Sequence, residues 1–373
     1  MKLLAFAKCF RSIPQTNSQV DDGDDLRRPG AGSQKVDSFP VYSYNELKAA
    51  TQGFRSSNRI GEGAFGSVYK GMLQDGSVVA VKILSVELES MRGEREFISE
   101  IAALSGIKHD NLVNLRGCCV DGTKRLLVYN YMENNSLAYT FLGEEQNRIK
   151  FSWKLRTEIS IGVARGLVYL HEQLRPHIVH RDIKPSNILL DHNFSPKLGD
   201  FGLAKLFRDD TSYISTRVAG TLGYLSPEYA ISGHLTRKSD VYSFGVLLLE
   251  ILTGGPVVGF DLERGEYFLV DKVWEKHKSN DLLQVVDPML NRNFPEEEAV
   301  RFLTIGLLCV QETTKLRPNM STAIKMLTNE IDIGDMEISK PGLVADLNVV
   351  KIGGKQSSQS FFSCDSSNVS SGR

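Results

Sequence analysis

The sequence predicts an α+β chain of two lobes, a small β-rich one followed by a larger, mostly helical one. Three patterns predict it. Between residues 60 and 130 the chain runs in short β-prone segments at 67–72, 78–84 and 126–130, rich in Val, Ile, Leu and Tyr. Beyond residue 135 apolar residues recur at helical spacing instead, Leu155, Ile159 and Val163 in one stripe and Phe302, Ile305 and Leu308 in another. The segment 239–252 is apolar around nearly its whole circumference, the pattern of a helix buried on every side.

Within the small lobe, Asp75-Gly76 suits a tight turn and closes 67–72 and 78–84 into a hairpin. One helix interrupts the strands at 90–105, where Phe97, Ile101 and Leu104 share a face. Two lobes in series leave a cleft between them, and ligands favour such junctions.

Composition narrows the function classes. The 373 residues leave room for two domains of about 150 each, plus tails. Hydrophobic residues at 41% and charged residues at 24% are ordinary for a globular chain. A net charge of −1 argues against nucleic-acid binding through bulk positive charge. Five cysteines (Cys9, Cys118, Cys119, Cys309, Cys364), two of them adjacent, do not make a disulfide framework and read as reduced cytosolic thiols. Without C-x-x-C or H-E-x-x-H, no zinc site is expected.

The most apolar helical stretch, 241–252, has 12 residues and includes Glu250, against the roughly 20 needed to cross a bilayer. A cytoplasmic location is therefore expected. The start, MKLLAFAKCF, has too short an apolar run for a signal peptide, and Lys2 excludes myristoylation. Cys9, beside Lys8 and Arg11, is a candidate lipidation site that would bring the N-terminus to the inner face of the plasma membrane; the plainer reading is a short disordered tail. Residues 12–38 are polar with an acidic cluster (Asp21, Asp22, Asp24, Asp25), and 334–373 end in a Ser-rich stretch, so 1–40 and 334–373 both read as disordered.

Four clusters carry chemistry. GEGAFG at 61–66 (Gly61, Glu62, Gly63, Ala64, Phe65, Gly66) fits G-x-G-x-x-G. It leads into a strand at Ser67 and Val68 rather than a helix, so a dinucleotide loop is excluded, and no Lys follows for a Walker loop. A glycine-rich hairpin can lie over phosphates and offer backbone N–H groups, or be only a flexible tip. Next, Lys82 sits inside the apolar run VVAVKIL, where an unpaired cation is costly. Glu100, beside the apolar stripe of the nearby helix, is its natural partner; otherwise Lys82 snorkels to solvent. HRDIKPSN at 180–187 is a short polar loop between apolar runs and holds Asp182, Lys184 and Asn187. Finally, D-F-G at 200–202 puts the carboxylate of Asp200 in a tight turn, suited to a hard cation.

In this order the four clusters resemble the signature set of eukaryotic-type protein kinases, over about residues 54–330. The resemblance implies a bilobal protein kinase fold over 41–333, with lobes at about 54–132 and 133–333. It also implies roles. The 61–66 loop and Ser67 cover ATP, and Ile60, Val68 and Ala80 enclose the adenine. Tyr129 is the gatekeeper, and Asn130, Tyr131 and Met132 form the hinge. Lys82, oriented by Glu100, holds the α- and β-phosphates. Asp182 accepts the substrate proton and Lys184 steadies the γ-phosphate. Asn187 and Asp200 hold magnesium, with manganese as the alternative. Thr221 sits beside Asp182 and Lys184 on the substrate side. Glu228, in SPE where relatives have APE, pairs with Arg317, and Asp240 braces the catalytic loop.

Finer similarity lies in YNELKAATQGF at 44–54, GCCVDG at 117–122, STRVAGTLGYLSPEY at 215–229 and LLCVQETTKLRPNM at 307–320. These resemble plant receptor-like kinases of the Pelle-like Ser/Thr group, and without ectodomain or span the chain resembles a receptor-like cytoplasmic kinase. Protein substrates and an upstream receptor kinase follow as expected partners, with no nucleic acid. Arg181, before the catalytic Asp, is expected to pair with a phosphate at Ser215 or Thr216. Two rival readings remain, a pseudokinase scaffold and an adaptor that works through its tails. Against the first, none of Lys82, Glu100, Asp182, Asn187 and Asp200 is missing.

Overall fold

Strands β1 (Arg59–Gly63), β2 (Gly66–Met72), β3 (Val78–Leu84), β4 (Leu115–Asp121) and β5 (Lys124–Asn130) form one antiparallel sheet in the order β1-β2-β3-β5-β4. The computed structural model describes residues 39–63, 66–84, 92–143, 145–208, 211–261, 265–334 and 336–343. Cys9, Cys364, loop residues Ala64 and Phe65, and both expected tails up to 38 and beyond 343 lie outside them. The Asp75-Gly76 turn forms as read: Gly76 takes φ +80° and the Ser77 N–H donates to Asp75 Oδ1 at 2.9 Å. Gly66 is obligatory where β2 crosses β3. Its φ is +135°, and a Cβ there would lie 1.8 Å from Ile83 O.

Alternation along β3 sorts its side chains. Val79 and Val81 are fully buried on one face with Leu126 and Val128, under Leu47 of helix α1 (Tyr44–Ala50). Leu84 packs on the other face with Phe97, Ile101 and Leu104 of α2 (Arg92–Leu104). The first face is as apolar as the second because α1 covers it. Ser43 caps that helix by accepting from the Glu46 N–H at 3.2 Å.

The large lobe follows through α3 (Glu145–Arg148), α4 (Trp153–Val168), the short strands β6 (His177–Val179), β7 (Ile188–Leu190), β8 (Pro196–Leu198), β9 (Lys205–Phe207) and β10 (Ile214–Ser215), α5 (Pro227–Ser232) and β11 (His234–Leu235). Helix α6 (Arg237–Thr253) then runs through its centre, buried from Ser239 to Leu252 as its sequence predicts. Thr236 starts it with a reciprocal cap, accepting from Lys238 N–H while its own N–H donates to Ser239 Oγ. Val246, Leu247, Leu248 and Leu249 are fully buried, each contributing about 1.5–3 kcal/mol of burial. After the hairpin β12 (Val258–Asp261) and β13 (Gly265–Phe268) come α7 (Leu269–Lys278), α8 (Glu296–Cys309) and α9 (Met320–Leu327). Ile159 and Val163 of α4 and Phe302, Ile305 and Leu308 of α8 are buried as their stripes predict, whereas Leu155 is only partly covered.

One boundary differs from the sequence expectation. The domain was expected to end at 333, but residues 336–343 are described and Pro341 and Gly342 are buried against the large lobe. No helix among the described residues is long and apolar enough to cross a membrane.

Candidate active site

Lys82 leaves β3 in register with Val68 of β2 and Leu127 of β5, and only 12% of its side chain is exposed. Its Nζ donates to Glu100 Oε1 at 2.6 Å and to Asp200 Oδ1 at 2.8 Å. Burial opposes the ammonium charge, but Glu100 and Asp200 outweigh it and hold the Lys82 pKa above its ordinary value. Burial likewise opposes ionisation of Asp200, and Lys82 beside it keeps that carboxyl below its usual range. Asp200 itself takes φ +60°, a strained conformation for a residue with a side chain. The helix carrying Glu100 is positioned by its apolar face and by Tyr129, whose hydroxyl donates to Glu100 Oε2.

The loop 180–187 lies between β6 and β7, which pair with β9 and β8 and fix its two ends. Its geometry is held from below by Asp240. That fully buried carboxylate accepts from the N–H groups of His180 (2.7 Å) and Arg181 (2.8 Å), and from His171 Nε2 at 2.8 Å. These bonds hold Arg181 at φ +75°. His180 donates through Nε2 to Gly199 O at 3.0 Å and packs edge-on against Phe201 at 4.7 Å, linking the loop to the D-F-G turn.

Three residues of this loop and Thr221 then converge. Asn187 Nδ2 donates to Asp182 O (2.8 Å) and Oδ2 (3.0 Å), and Lys184 Nζ lies 2.9 Å from Asp182 Oδ2. The Thr221 hydroxyl donates to Asp182 Oδ1 at 2.6 Å and accepts from Lys184 at 2.7 Å. A hydroxyl thus already sits between a carboxylate that can take its proton and a cation that can stabilise negative charge.

Farther along, Glu228 and Arg317 form a bidentate pair at 2.9 Å for both bonds, with the Arg317 side chain fully buried. The Ser226 hydroxyl beside it is buried and has no hydrogen-bond partner among the described residues. Ser215 pairs across β10–β11 with His234, and the Thr216 N–H donates to Gly233 O at 3.1 Å. The Arg181 guanidinium bonds to Leu203 O (3.0 Å), Arg217 O (2.9 Å) and the Tyr229 hydroxyl. Lys205 has a lowered pKa through burial and the nearby charges of Arg181 and Arg95.

The described residues expected to face a nucleotide fall on four strands of the small lobe and on the chain leaving it. Ile60, Gly61, Glu62 and Gly63 lie on β1 and Gly66, Ser67 and Val68 on β2; Ala80 pairs with Tyr129, and Asn130, Tyr131 and Met132 lead out of β5. Glu62 has a partner the sequence reading did not assign, Arg59 at 2.7 Å.

Three contacts escaped that reading. Glu96 is almost buried one turn before Glu100, and a Cβ on Gly202 would come within 3.3 Å of its Cγ. Burial raises its pKa to about 7. The i, i+4 spacing to Glu100 was a usable signal. The second is the Tyr129–Glu100 bond. The third is Tyr224, whose hydroxyl donates to Glu250 Oε2 at 2.6 Å.

Burial raises Glu250 to about 8, only partly countered by Tyr224. The unfolded carboxyl ionises near 4.5, so between pH 4.5 and about 8 the folded chain keeps a proton that the unfolded chain has lost. Stability from this group therefore falls as pH rises through that window and is level above it. Glu250→Gln keeps an oxygen for Tyr224 but has no proton to lose. Thermal melts from about pH 5 to 8 should show wild type losing roughly 2–4 kcal/mol more than the variant. Equal losses would mean that Glu250 ionises as an ordinary carboxyl.

The protein kinase domain family profile matches residues 54–327. Among similar curated proteins, Cold-responsive protein kinase 1 of Arabidopsis thaliana is 52% identical over 321 residues, covering 86% of this chain and 82% of that protein. A putative serine/threonine-protein kinase of Helianthus annuus is 64% identical over 239 residues, covering 64% of this chain and 99% of that protein. A probable LRR receptor-like serine/threonine-protein kinase of Arabidopsis thaliana is 50% identical over 306 residues, 82% of this chain but 29% of the receptor.

Proposed function

Because the chain belongs to the protein kinase family, we propose that the Lys82 and Asp182 clusters are the nucleotide end and the acceptor end of one phosphotransfer centre. The chain is a serine/threonine protein kinase, and kinases of this family use ATP and a divalent metal.

In this reading Ile60, Val68 and Ala80 enclose the adenine, the 61–67 turn covers the phosphates, and the 130–132 backbone bonds the base. Lys82 takes the α- and β-phosphates. Asp200 and Asn187 suit magnesium, or manganese. Asp200 offers a carboxylate favoured in its charged form, and the Asn187 amide nitrogen is committed to Asp182, leaving its oxygen to accept a hard cation. The metal supplies charge neutralisation on the phosphoryl group. Asp182 receives the proton of the acceptor hydroxyl, whose oxygen bonds the γ-phosphorus as the bond to the β,γ-bridging oxygen breaks and ADP leaves. Lys184 steadies the transferring group.

The observation that carries this is the Thr221 hydroxyl held between Asp182 and Lys184, the two contacts an acceptor hydroxyl requires.

Regulation is read from the same segment. A phosphate on Thr216 or Ser215 would give Arg181 a dianion in place of neutral carbonyl acceptors and would relieve the crowding of Arg181, Lys205 and Arg95. Similarity to LRR receptor-like kinases over 29% of one such receptor supports an upstream receptor kinase that phosphorylates this segment alongside self-phosphorylation, and other proteins as substrates. A cytoplasmic location, with peripheral membrane contact through Cys9, completes the reading.

The test is incubation of the purified chain with labelled ATP, with magnesium and with chelator, followed by mapping of the label. Metal-dependent label at Ser215 or Thr216 is expected, and alanine at both positions should remove most activity, about tenfold or more. Undiminished activity in the double variant would contradict the regulatory reading. Label incorporated in chelator would contradict the metal assignment.

A further inference from the structure

Past the family-matched residues 54–327 the chain turns back across the large lobe. The Glu312 N–H donates to Lys340 O and the Gly342 N–H to Val310 O, both at 3.1 Å, and Pro341 pairs with Gln311 in an antiparallel bridge. From α6, the buried Tyr242 hydroxyl donates to Gly342 O at 2.7 Å. Gln311 is also buried. Its amide oxygen accepts from the Ser339 N–H and hydroxyl, both at 2.9 Å, and its nitrogen donates to Leu308 O and Leu316 O. A Cβ on Gly342 would lie 2.7 Å from Pro227 Cγ and 3.0 Å from Glu312 Cα, so the backbone here rests directly on the first residue of α5.

The same neighbours hold the Glu228–Arg317 pair. Arg317 donates to Gln311 O at 2.7 Å and Glu312 O at 3.2 Å, and its guanidinium lies 5.0 Å from the Tyr242 ring centre. Helix α5 is thus fixed at Glu228 by Arg317 and at Pro227 by the returning chain. It directly follows 221–226, the segment whose Thr221 reaches Asp182 and whose Tyr224 is tied to Glu250. A displacement at Pro227 is therefore passed along six residues of chain to the acceptor end of the site.

We propose that residues 338–343 are a positioning strap for the acceptor-side segment 219–228, set by the close seat of Gly342 on Pro227. The working catalytic unit then extends to residue 343. This rests on reading the Thr221 end as the substrate side. The nucleotide end, built on β3, α2 and Asp200, has none of these contacts with the strap, so the strap acts on acceptor docking and not on ATP.

The test compares full-length wild type, Gly342→Val and Gly342→Ala, assayed well below their melting temperatures. Gly342→Val is expected to raise KM for a serine peptide about fivefold or more while KM for ATP stays within about twofold, with a smaller shift in the same direction for Gly342→Ala. Amide exchange should quicken across 219–232 and stay unchanged across 59–84. Tyr242→Phe keeps the ring and removes only the hydroxyl bond to Gly342, so it provides the same reading if the valine variant does not fold. A merely structural segment would lower melting temperature and active fraction without moving the peptide KM. That result, or an unmoved peptide KM in both Gly342→Val and Tyr242→Phe, overturns the proposal. Asp182→Asn alongside separates the two levels. If Asp182 is required but the peptide KM is unmoved, the site reading stands and the strap is discarded; full transfer by Asp182→Asn removes the site reading itself.

Discussion

Asp182→Asn is expected to lower kcat by about a thousandfold while changing ATP affinity by no more than about twofold. Asparagine matches the carboxylate in shape and still offers one oxygen to Thr221 or Lys184, so the loop should keep its place. What it cannot do is receive a proton. The acceptor hydroxyl then has to attack while still protonated, and proton transfer by a positioned base is worth roughly 10²–10⁴ in rate. ATP affinity should hold because the nucleotide end is built from other groups, with Lys82, Glu100 and Asp200 bonded to one another at 2.6 and 2.8 Å. Steady-state kinetics beside calorimetric ATP binding check both halves. A fall of less than about tenfold in kcat would remove Asp182 from the role of proton acceptor.

Glu228→Ala is expected to cost about 3–5 kcal/mol of stability. The Arg317 side chain is fully buried and both its terminal nitrogens bond to Glu228 at 2.9 Å. Removing the carboxylate leaves a guanidinium in low dielectric with the backbone carbonyls of Gln311, Glu312 and Lys238 and the Tyr242 ring, but no anion, in the contacts described for it. Arginine cannot discard its proton to escape that cost. For a lobe of this size the loss corresponds to a drop of roughly 10 °C in melting temperature. Glu228→Gln, which keeps an acceptor but no charge, should lose less. Urea melts of the three proteins measure the order. A loss below about 1 kcal/mol in Glu228→Ala would show that the carbonyls suffice for the cation.

Local patterns were readable in the sequence because their causes are local. A Lys within VVAVKIL demanded a counter-ion, and Glu100 stood on the correct face of the only candidate helix, so that ion pair was legible before any fold. The Asp75-Gly76 hairpin and the all-round apolar α6 were legible for the same reason. Contacts between distant segments were legible only through the family resemblance, as for Glu228 with Arg317 and Thr221 with Asp182, and some were not legible at all. Tyr129 on Glu100 spans 29 residues and Tyr224 on Glu250 spans 26, and each depends on how a strand or loop docks against a helix. Helix α1 is seven residues long, too short for a periodic signal, and its need is visible only once the Val79–Val81 face is seen to require cover. The segment 338–343 bonds largely through backbone N–H and C=O groups, which leave no mark on side-chain patterning. Its Ser-Lys-Pro-Gly run reads as a loop, which is why the expected boundary fell at 333.

The central claim is that the Lys82 and Asp182 clusters serve one reaction. Single-turnover transfer of labelled phosphate from pre-bound ATP and magnesium to a serine peptide tests it most directly, with the alanine peptide as control. Wild type should transfer the label to the serine hydroxyl within the first turnover, and Asp182→Asn should bind the same nucleotide and transfer about a thousandfold more slowly. Equal transfer rates in the two proteins, or nucleotide bound by wild type with no label reaching serine, would contradict it.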